Sequence, residues 1–526
     1  MIERDTVEGS PLLDPSTLSD GDIHGDPPGR LKVGGAAFEL REDSLWISDS
    51  NYVEESKGFS CFGLRPNNRK NNNTQIILYH YILWSEIIQN TLTITYAERT
   101  TKTRLTPKTL TYTVTSTSNN SYLESWITNL LHRSNHTAKK RKRIKVLINP
   151  FGGQGKAAKY YARDIEPIFR AAKCDISVET TQRKSHAGVI AEEIDIERWD
   201  VIACCSGDGL PYEVFNGLAR KPDAKVALGK IAVVQLPCGT GNAMSLNLNG
   251  TDNPAFAALA VVKGLRTSLD LVSITQGDTR TLSFLSQSVG IVAESDLGTE
   301  NLRWMGNARF TYGFLVRLLG KTVWPCDIAV GVEIDDKTAI RDEYRKYHGQ
   351  TTGGDSKIIS SSSSELDTPN ETLTTSISAG AGLPPLRYGT INDPLPPSWT
   401  LTPYPNLGNF YCGNMAYMTA DTNFFPAALP SDGCLDLVTI PGDIPLKRSL
   451  TLLDSVGKGR IFEQPDVRYR KVSGYRIVPR EAEGYVSIDG ERVPFEGFQA
   501  EVHRGLGTTL SRSGRGYEAS GPVLPG

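Results

Sequence analysis

Between residues 144 and 272 the spacing of apolar positions alternates in a regular way. Short apolar runs at Lys145–Ile148, Ile176–Glu179, Val201–Cys205 and Ile231–Leu236 fit buried strands. Between them the spacing becomes helical: Ala157, Tyr161, Ile165, Ile168, Phe169 and Ala172 form one stripe, Val189 and Ile194 belong to another, and Val214, Phe215, Leu218 and Ala219 form a third. Strand–helix alternation predicts a parallel α/β sheet, with any ligand at the carboxyl ends of its strands. Ahead of it, 31–118 carries β-type runs at Ala37–Leu40, Leu45–Ile47, Thr74–Leu83, Thr91–Tyr96 and Leu110–Thr115. A helical stripe follows at Leu123, Trp126, Ile127, Leu130 and Leu131. Region 31–135 is therefore β-rich, as either a pleckstrin-homology-type barrel or a β-rich extension of the main domain. After Leu269 the strand runs Asp270–Thr275 and Thr281–Val289 flank Gly277-Asp278, and strand patterns return at Phe410–Thr419 and Leu435–Ile440. These predict a mainly antiparallel domain over 273–505.

Three stretches are expected to be disordered: 1–30, rich in Asp, Gly and Pro; 349–398, with Ser360–Ser364 and paired prolines; and the Gly/Ser tail 506–526. Over 526 residues, 57 Lys+Arg nearly balance 59 Asp+Glu, so nothing global points to nucleic acid. No apolar run approaches the roughly 18 residues of a membrane span, and the charged start Met-Ile-Glu-Arg-Asp argues against a secretory signal. The eight cysteines contain no Cys-x-x-Cys pair, which argues against zinc or a disulfide framework and for a reducing, cytosolic setting. The run Lys139-Lys140-Arg141-Lys142-Arg143 reads as a solvated linker, an anionic-lipid patch or a nuclear signal.

The chemistry concentrates in three glycine loops, each between a strand and a helix. They are Asn149-Pro150-Phe151-Gly152-Gly153-Gln154-Gly155-Lys156, Ser206-Gly207-Asp208-Gly209-Leu210-Pro211-Tyr212-Glu213, and Pro237-Cys238-Gly239-Thr240-Gly241-Asn242-Ala243. Backbone N–H groups at such helix starts can cradle phosphate. The first loop is not a Walker A loop, having Pro150 and Ala157 where glycine and Ser/Thr are needed, and Met244 spoils the third as a dinucleotide fingerprint. A lone carboxylate between glycines beside a phosphate site, Asp208, suits a proton acceptor in phosphoryl transfer.

The three loops in this order resemble the diacylglycerol-kinase catalytic fold and, within it, the sphingosine kinases, over about 144–345 and again over 400–505. Further matches lie in Gly290-Ile291-Val292-Ala293-Glu294-Ser295-Asp296-Leu297, Arg303, Met305-Gly306, Arg309 and Ile488-Asp489-Gly490-Glu491. The resemblance implies an α/β nucleotide-binding domain at 143–272 and a lipid-binding domain at 273–505. It implies ATP and Mg²⁺ as cofactors, with the metal's ligands unassigned, and a sphingoid base as the lipid phosphorylated on its primary hydroxyl. A ceramide or diacylglycerol kinase and a non-catalytic sensor are the alternatives. Asp208 would be the general base. The ATP site would comprise Asn149, Pro150, Phe151, Gly152, Gly153, Thr181, Gln182, Arg183, Lys184, Ser185, Ser206, Gly207, Gly209, Glu213, Gly239, Thr240, Gly241, Arg303, Arg309, Asp489, Gly490 and Glu491. Asp296, Ser286 and Leu210 would meet the lipid, Asp296 through its ammonium group. His186 would orient a helix start, and Phe314, Leu315, Leu318 and Leu319 would serve either core packing or the acyl chain. Peripheral contact with a cytoplasmic membrane surface follows from a bilayer-partitioned substrate.

Overall fold

The structure, a computed structural model, describes residues 29–49, 74–114, 120–299, 308–318, 320, 322–352 and 382–522. Its first unit has seven strands in two antiparallel sheets. Arg30–Val33, Ala36–Leu40, Ser44–Asp49 and Thr74–Leu78 form one; Ile82–Ile88, Thr91–Thr101 and Arg104–Thr113 form the other. The helix Asn120–Asn135 lays Leu123, Trp126 and Leu130 into a core with Phe38, Ile47 and Ile94. The expected single run Thr74–Leu83 is interrupted by a 3₁₀ turn at Tyr79–Tyr81, which moves the chain from one sheet to the next.

The basic run forms the joint to the next unit. Lys139 and Arg143 both pair with Asp200, at 2.7 and 2.8 Å. Lys142 is buried and donates to the carbonyls of Val262 (2.7 Å) and Lys139 (3.0 Å), while Arg141 lies over the Trp84 ring. Lys263 completes the joint from the other side, donating to the carbonyls of Ile82 and Ser134 and to Asn135 Oδ1. Four of the five cations of the run thus have partners within the chain.

The parallel sheet has the order Ala232–Pro237, Val201–Ser206, Arg143–Ile148, Asp175–Thr180, with every pairing parallel. The strands Val201–Ser206 and Ala232–Pro237 are buried throughout, which is why they read as apolar runs without alternation. The stripe from Ala157 to Ala172 is not one α-helix. It runs as Ala157–Tyr160, a π-helical turn Tyr161–Ile165, and Glu166–Ala171, whose Pro167 cannot supply a ladder N–H.

The second large unit is an antiparallel sheet of eleven strands. Its main path runs Thr279–Ser283, Leu265–Gln276, Phe498–Ser511, Arg468–Pro479, Leu435–Pro441, Leu407–Gly413, Ser286–Gly290, Val486–Ile488, Glu491–Val493. The strand Leu265–Gln276 crosses the expected boundary at 272 and pairs along its length with Phe498–Ser511, so the two units share a continuous chain element there. Two expectations need correction here. The tail 506–526 is not disordered up to residue 522: the strand continues to Ser511, and buried Tyr517 donates its hydroxyl to Asn414 O at 2.6 Å. Of the insertion 349–398, residues 353–381 lie outside the described residues, but 382–398 packs on the sheet. Glu501 accepts the backbone N–H groups of Arg387 and Tyr388 (2.8 and 2.7 Å), Gln499 donates to the carbonyls of Tyr388 and Gly389, and Arg476 to those of Thr390 and Asp393. Proline-rich backbone finds its partners there in buried polar side chains rather than in a ladder.

The Lys263 joint makes a prediction. Burial pushes its ammonium pKa from 10.5 down to about 7, so between those values the unfolded chain binds the extra proton and the folded chain does not. Stability should therefore rise with pH from about 7 to about 10. Urea midpoints across that range should rise more steeply in the native chain than in Lys263→Met, where only buried Lys142, lowered to about 8, still contributes from this joint; the variant should also be less stable by about 1–3 kcal/mol through its orphaned carbonyls.

Candidate active site

The glycine loops meet because their strands are neighbours. A Cβ on Gly239 would lie 2.3 Å from both Cα and N of Gly207, and one on Gly207 would lie 2.8 Å from the Gly241 carbonyl. The second and third loops therefore touch backbone to backbone, and only glycine allows it. Asn242 braces the third loop by accepting from Gly239 N (3.1 Å) and donating to Gly239 O (3.0 Å). Asn149 does the same for the first, accepting from Phe151 N at 3.0 Å, while Phe151 itself is 82% exposed. Gly152 and Gly153 open a four-residue helix, Gly152–Gly155. Pro150, Thr240 and Gly241 are half-buried, and Ser206, buried, receives Cys238 N on its carbonyl.

Asp208 is half-buried, at the start of the helix Gly209–Ala219. Its oxygens accept Ala243 N (2.9 Å) and Met244 N (3.0 Å), so it holds the start of the helix Ala243–Asn249 and locks the second loop to the third. Burial raises its pKa above the ordinary carboxylate value against the pull of those N–H groups. Glu213 has a parallel role: it accepts Ser185 N (2.9 Å) and Ala187 N (3.1 Å), fixing the exposed stretch Gln182, Arg183, Lys184, Ser185. Within it, His186 Nδ1 accepts Gln182 N at 3.1 Å, the helix-orienting role expected of it. Thr181, buried, anchors the stretch to Ile148 O.

The antiparallel sheet reaches this cleft through the hairpin Val486–Ile488/Glu491–Val493. Asp489 and Gly490 form its two-residue turn with φ of 51° and 81°, the type I′ geometry expected of Asp-Gly. The buried Asp489 carboxylate accepts Ser283 Oγ (2.5 Å) and the N–H groups of Phe284 (2.9 Å), Leu285 (3.0 Å) and Ser286 (2.9 Å). Burial nevertheless moves its pKa up to about 6. Glu491 pairs with Lys184 at 2.8 Å and reaches within 3.5 Å of where a Cβ on Gly209 would stand. Asp296 lies near the end of the short helix Ile291–Leu297. Its Oδ2 is 3.9 Å from the corresponding point on Gly490.

One residue at this junction escaped the sequence: Tyr411. Its buried hydroxyl is 3.4 Å from Ser286 Oγ, and its pKa is raised by burial first and then by the carboxylates of Asp296, Asp489 and Asp208. A tyrosine inside a strand run reads as core, so only the topology could reveal it. Leu210 is buried in the same apolar cluster as Tyr411. Beyond Tyr411 opens an apolar cavity lined by Ile291, Phe314, Phe424, Leu452 and Ile461, with Phe424 in ring contact with Tyr411 at 5.0 Å. Phe314 thus faces the cavity, whereas Leu315 is 41% exposed; the side chain of Leu318 and all of Leu319 lie outside the described residues. Arg303, with Met305 and Gly306, lies outside them too. Arg309 belongs to the helix Ala308–Leu318, with its side chain outside them. Among the described residues no group of three His, Cys, Asp or Glu is placed to hold a metal.

Residues 143–274 match the diacylglycerol kinase catalytic domain family, and 30–135 match a domain family of unknown function. Sphingoid long chain base kinase 5 of Saccharomyces cerevisiae is 36% identical over 422 residues, covering 73% of this chain and 61% of that protein. Sphingoid long chain base kinase 4 of Schizosaccharomyces pombe is 36% identical over 375 residues, covering 71% of this chain and 76% of that protein. The chain belongs to the sphingosine kinase family. It is a lipid kinase of that kind, with the α/β catalytic unit and antiparallel β unit expected. A crystal structure of a diacylglycerol kinase from Bacillus anthracis str. Sterne is 17% identical, with a TM-score of 0.44, and covers 71% of this chain and 98% of that one.

The contact between Gly207 and Gly239 predicts that Gly239→Ala cripples nucleotide use in this kinase. Backbone lies on both sides of the new methyl, so the loops must part, at a cost of about 1–3 kcal/mol. The KM for ATP should rise and the melting temperature fall together; an unchanged ATP KM would show that the loops do not act as one unit.

Proposed function

We propose that the chain transfers the γ-phosphoryl group of ATP to the primary hydroxyl of a sphingoid long-chain base. The observation that carries this reading is the convergence of Asp208, Asp296 and Asp489 on Tyr411 and Ser286, between the glycine loops and an apolar cavity. An amphipathic amine laid there would put its ammonium beside Asp296, its hydroxyl toward Asp208 and its chain among Ile291, Phe314 and Phe424. Diacylglycerol and ceramide carry no ammonium, and gathered carboxylates favour a cation over a neutral ester or amide.

Asp208 takes the proton of the hydroxyl as its oxygen attacks phosphorus, and ADP leaves in line. The raised pKa of this base moves the acid limb of kcat/KM above the ordinary carboxylate range, since activity disappears once Asp208 is protonated. The loop amides and the start of the helix Gly209–Ala219 suit phosphate binding. Mg²⁺ takes one or two carboxylates and otherwise phosphate oxygens. Glu491, beside Gly209, fits that demand, whereas both oxygens of Asp208 already hold backbone N–H groups. Mg²⁺ would neutralise charge on the phosphates.

We also place the protein on a cytoplasmic membrane surface, as a peripheral protein. Tyr312, Leu315 and Val316 on one helix, and Leu446 and Leu450 on another, are 41–49% exposed. Both helices wall the cavity, so these residues could dip into lipid as the substrate enters. No helix of the described residues is long and apolar enough to cross a membrane. The seven-strand, one-helix unit at the N-terminus supports a pleckstrin-homology-type reading.

A radiolabelled-ATP assay on sphinganine, phytosphinganine, ceramide and diacylglycerol tests the reading. Label should enter the two free amines; label entering diacylglycerol best, or no lipid at all, would overturn it. In the same assay Asp208→Asn should lower kcat by about 10²–10⁴. Because that change also replaces one oxygen that caps the helix Ala243–Asn249, the urea midpoint should fall by the equivalent of about 1 kcal/mol.

Asp296→Ala should raise the KM for sphinganine and leave that for ATP in place. A hydrogen bond to a charged group in a partly desolvated pocket is worth about 1.5–3 kcal/mol, so the rise should be about tenfold to a hundredfold. A change confined to the ATP constant would make Asp296 a support for the Asp489–Gly490 turn instead.

A further inference from the structure

The wall of the apolar cavity carries one polar side chain, Asn409, that nothing among the described residues satisfies. Asn409 is 2% exposed, and neither its Oδ1 nor its Nδ2 has a hydrogen-bond partner, whereas its backbone is paired in the ladder with Gly290 and Ile440. Among the described residues no other buried side-chain amide is unpartnered at both its atoms; Asn414, Asn423 and Gln235 each lack a partner at one atom only. Leaving such a group unpaired is unfavourable, and an apolar residue of similar size would be tolerated in its place, so the amide needs an explanation.

Its position supplies one. Asn409 and Tyr411 are two apart on the strand Leu407–Gly413 with no register shift between them, so both project from the same face of the sheet. Tyr411 marks the polar end of the site, where Asp208, Asp296 and Asp489 gather, and its ring contacts Phe424. Asn409 stands about 7 Å further along, two strand residues on, and lines the cavity with Phe424, Ile291 and Phe314. It therefore addresses the lipid just past its head group, where a plain hydrocarbon could satisfy neither atom of the amide.

We infer that Asn409 is a specificity residue for sphingoid bases that carry, besides the secondary hydroxyl next to the amine that all of them share, a further hydroxyl on the following chain carbon. This rests on the sphingoid-base reading above and refines it. A carboxamide both donates and accepts, and a secondary hydroxyl does both, so each can satisfy the other. A base without the hydroxyl leaves the amide orphaned inside the complex, and a site built around a hydrogen bond rejects ligands that lack it.

The test compares phytosphinganine with sphinganine, which differ by that hydroxyl alone. The native kinase should favour phytosphinganine by about tenfold or more in kcat/KM, tenfold being about 1.4 kcal/mol. Asn409→Leu, of similar volume, should abolish or invert the preference by losing activity on phytosphinganine while keeping or gaining it on sphinganine. Its urea midpoint should not fall, because a buried unpaired amide has been removed. Equal rates of the native enzyme on the two bases would overturn the inference without any variant, and so would a proportionate loss on both in the Leu variant. Failure of the underlying reading looks different: the native enzyme would then phosphorylate neither base.

Discussion

The site depends on one buried carboxylate at the tip of a hairpin. Asp489 can stand there because Gly490 follows it, which lets a two-residue turn close with both residues at positive φ. With its oxygens accepting from four successive residues, Ser283 to Ser286, it fixes the point where the expected strand Thr281–Val289 breaks in two. Ser286 returns the contact by accepting Asp489 N at 2.7 Å. Burial alone would make this charge unaffordable; the ring of donors offsets much of the penalty, and a pKa of about 6 is the residue of that contest. The hairpin also faces the helix Gly209–Ala219, since the Tyr212 phenol is pushed up to about 12 by burial and by the charges of Asp489 and Glu491. The antiparallel unit is thereby held against the glycine loops by the same residue that shapes its own end.

Several acids of the site serve as struts. Asp208 joins two loops, Glu213 ties down a third stretch, and Asp489 anchors a strand break, each through backbone N–H groups. Negative charge at a helix start is favourable in its own right, so Asp208 and Glu213 keep their positions before any ligand arrives. In the role proposed for Asp208 this would help: a base fixed by two N–H groups presents its remaining lone pairs in one direction, which is the preorganisation that proton transfer needs.

Much of this was legible from residue patterns. The parallel sheet, its glycine loops and the Asp-Gly turn follow from local rules, because strand period, helix starts and positive φ are properties of a few adjacent residues. What escaped depends on partners far away in sequence. The stretch 382–398, with its paired prolines, looked unable to fold, yet Glu501, Gln499 and Arg476, some hundred residues on, supply its hydrogen bonds. The tail looked disordered because it is rich in glycine and serine, and from Gly507 to Ser511 a ladder to Leu265–Leu269 overrides that reading. The basic run looked like a surface feature, and Asp200 and Val262 turn it into a joint. Tyr411 and Asn409 were hidden for the same reason: within a strand, residue type does not say which cavity a side chain enters.

Those two residues show how one strand can order a whole ligand. The face of Leu407–Gly413 that carries Tyr411 toward the acids carries Asn409 into the apolar cavity, and strand geometry fixes their separation. Gly290, opposite Asn409 in the ladder, has φ of 99°, and a Cβ there would stand 2.6 Å from the Gly408 carbonyl, so the two strands cannot slide apart or exchange register without losing that fit. Head recognition and chain recognition are thus set by a single rigid pairing rather than by independent loops. A lipid that satisfies the acids at one end is committed to presenting its first chain carbons to Asn409, and discrimination at the amide becomes a direct consequence of how the head is held.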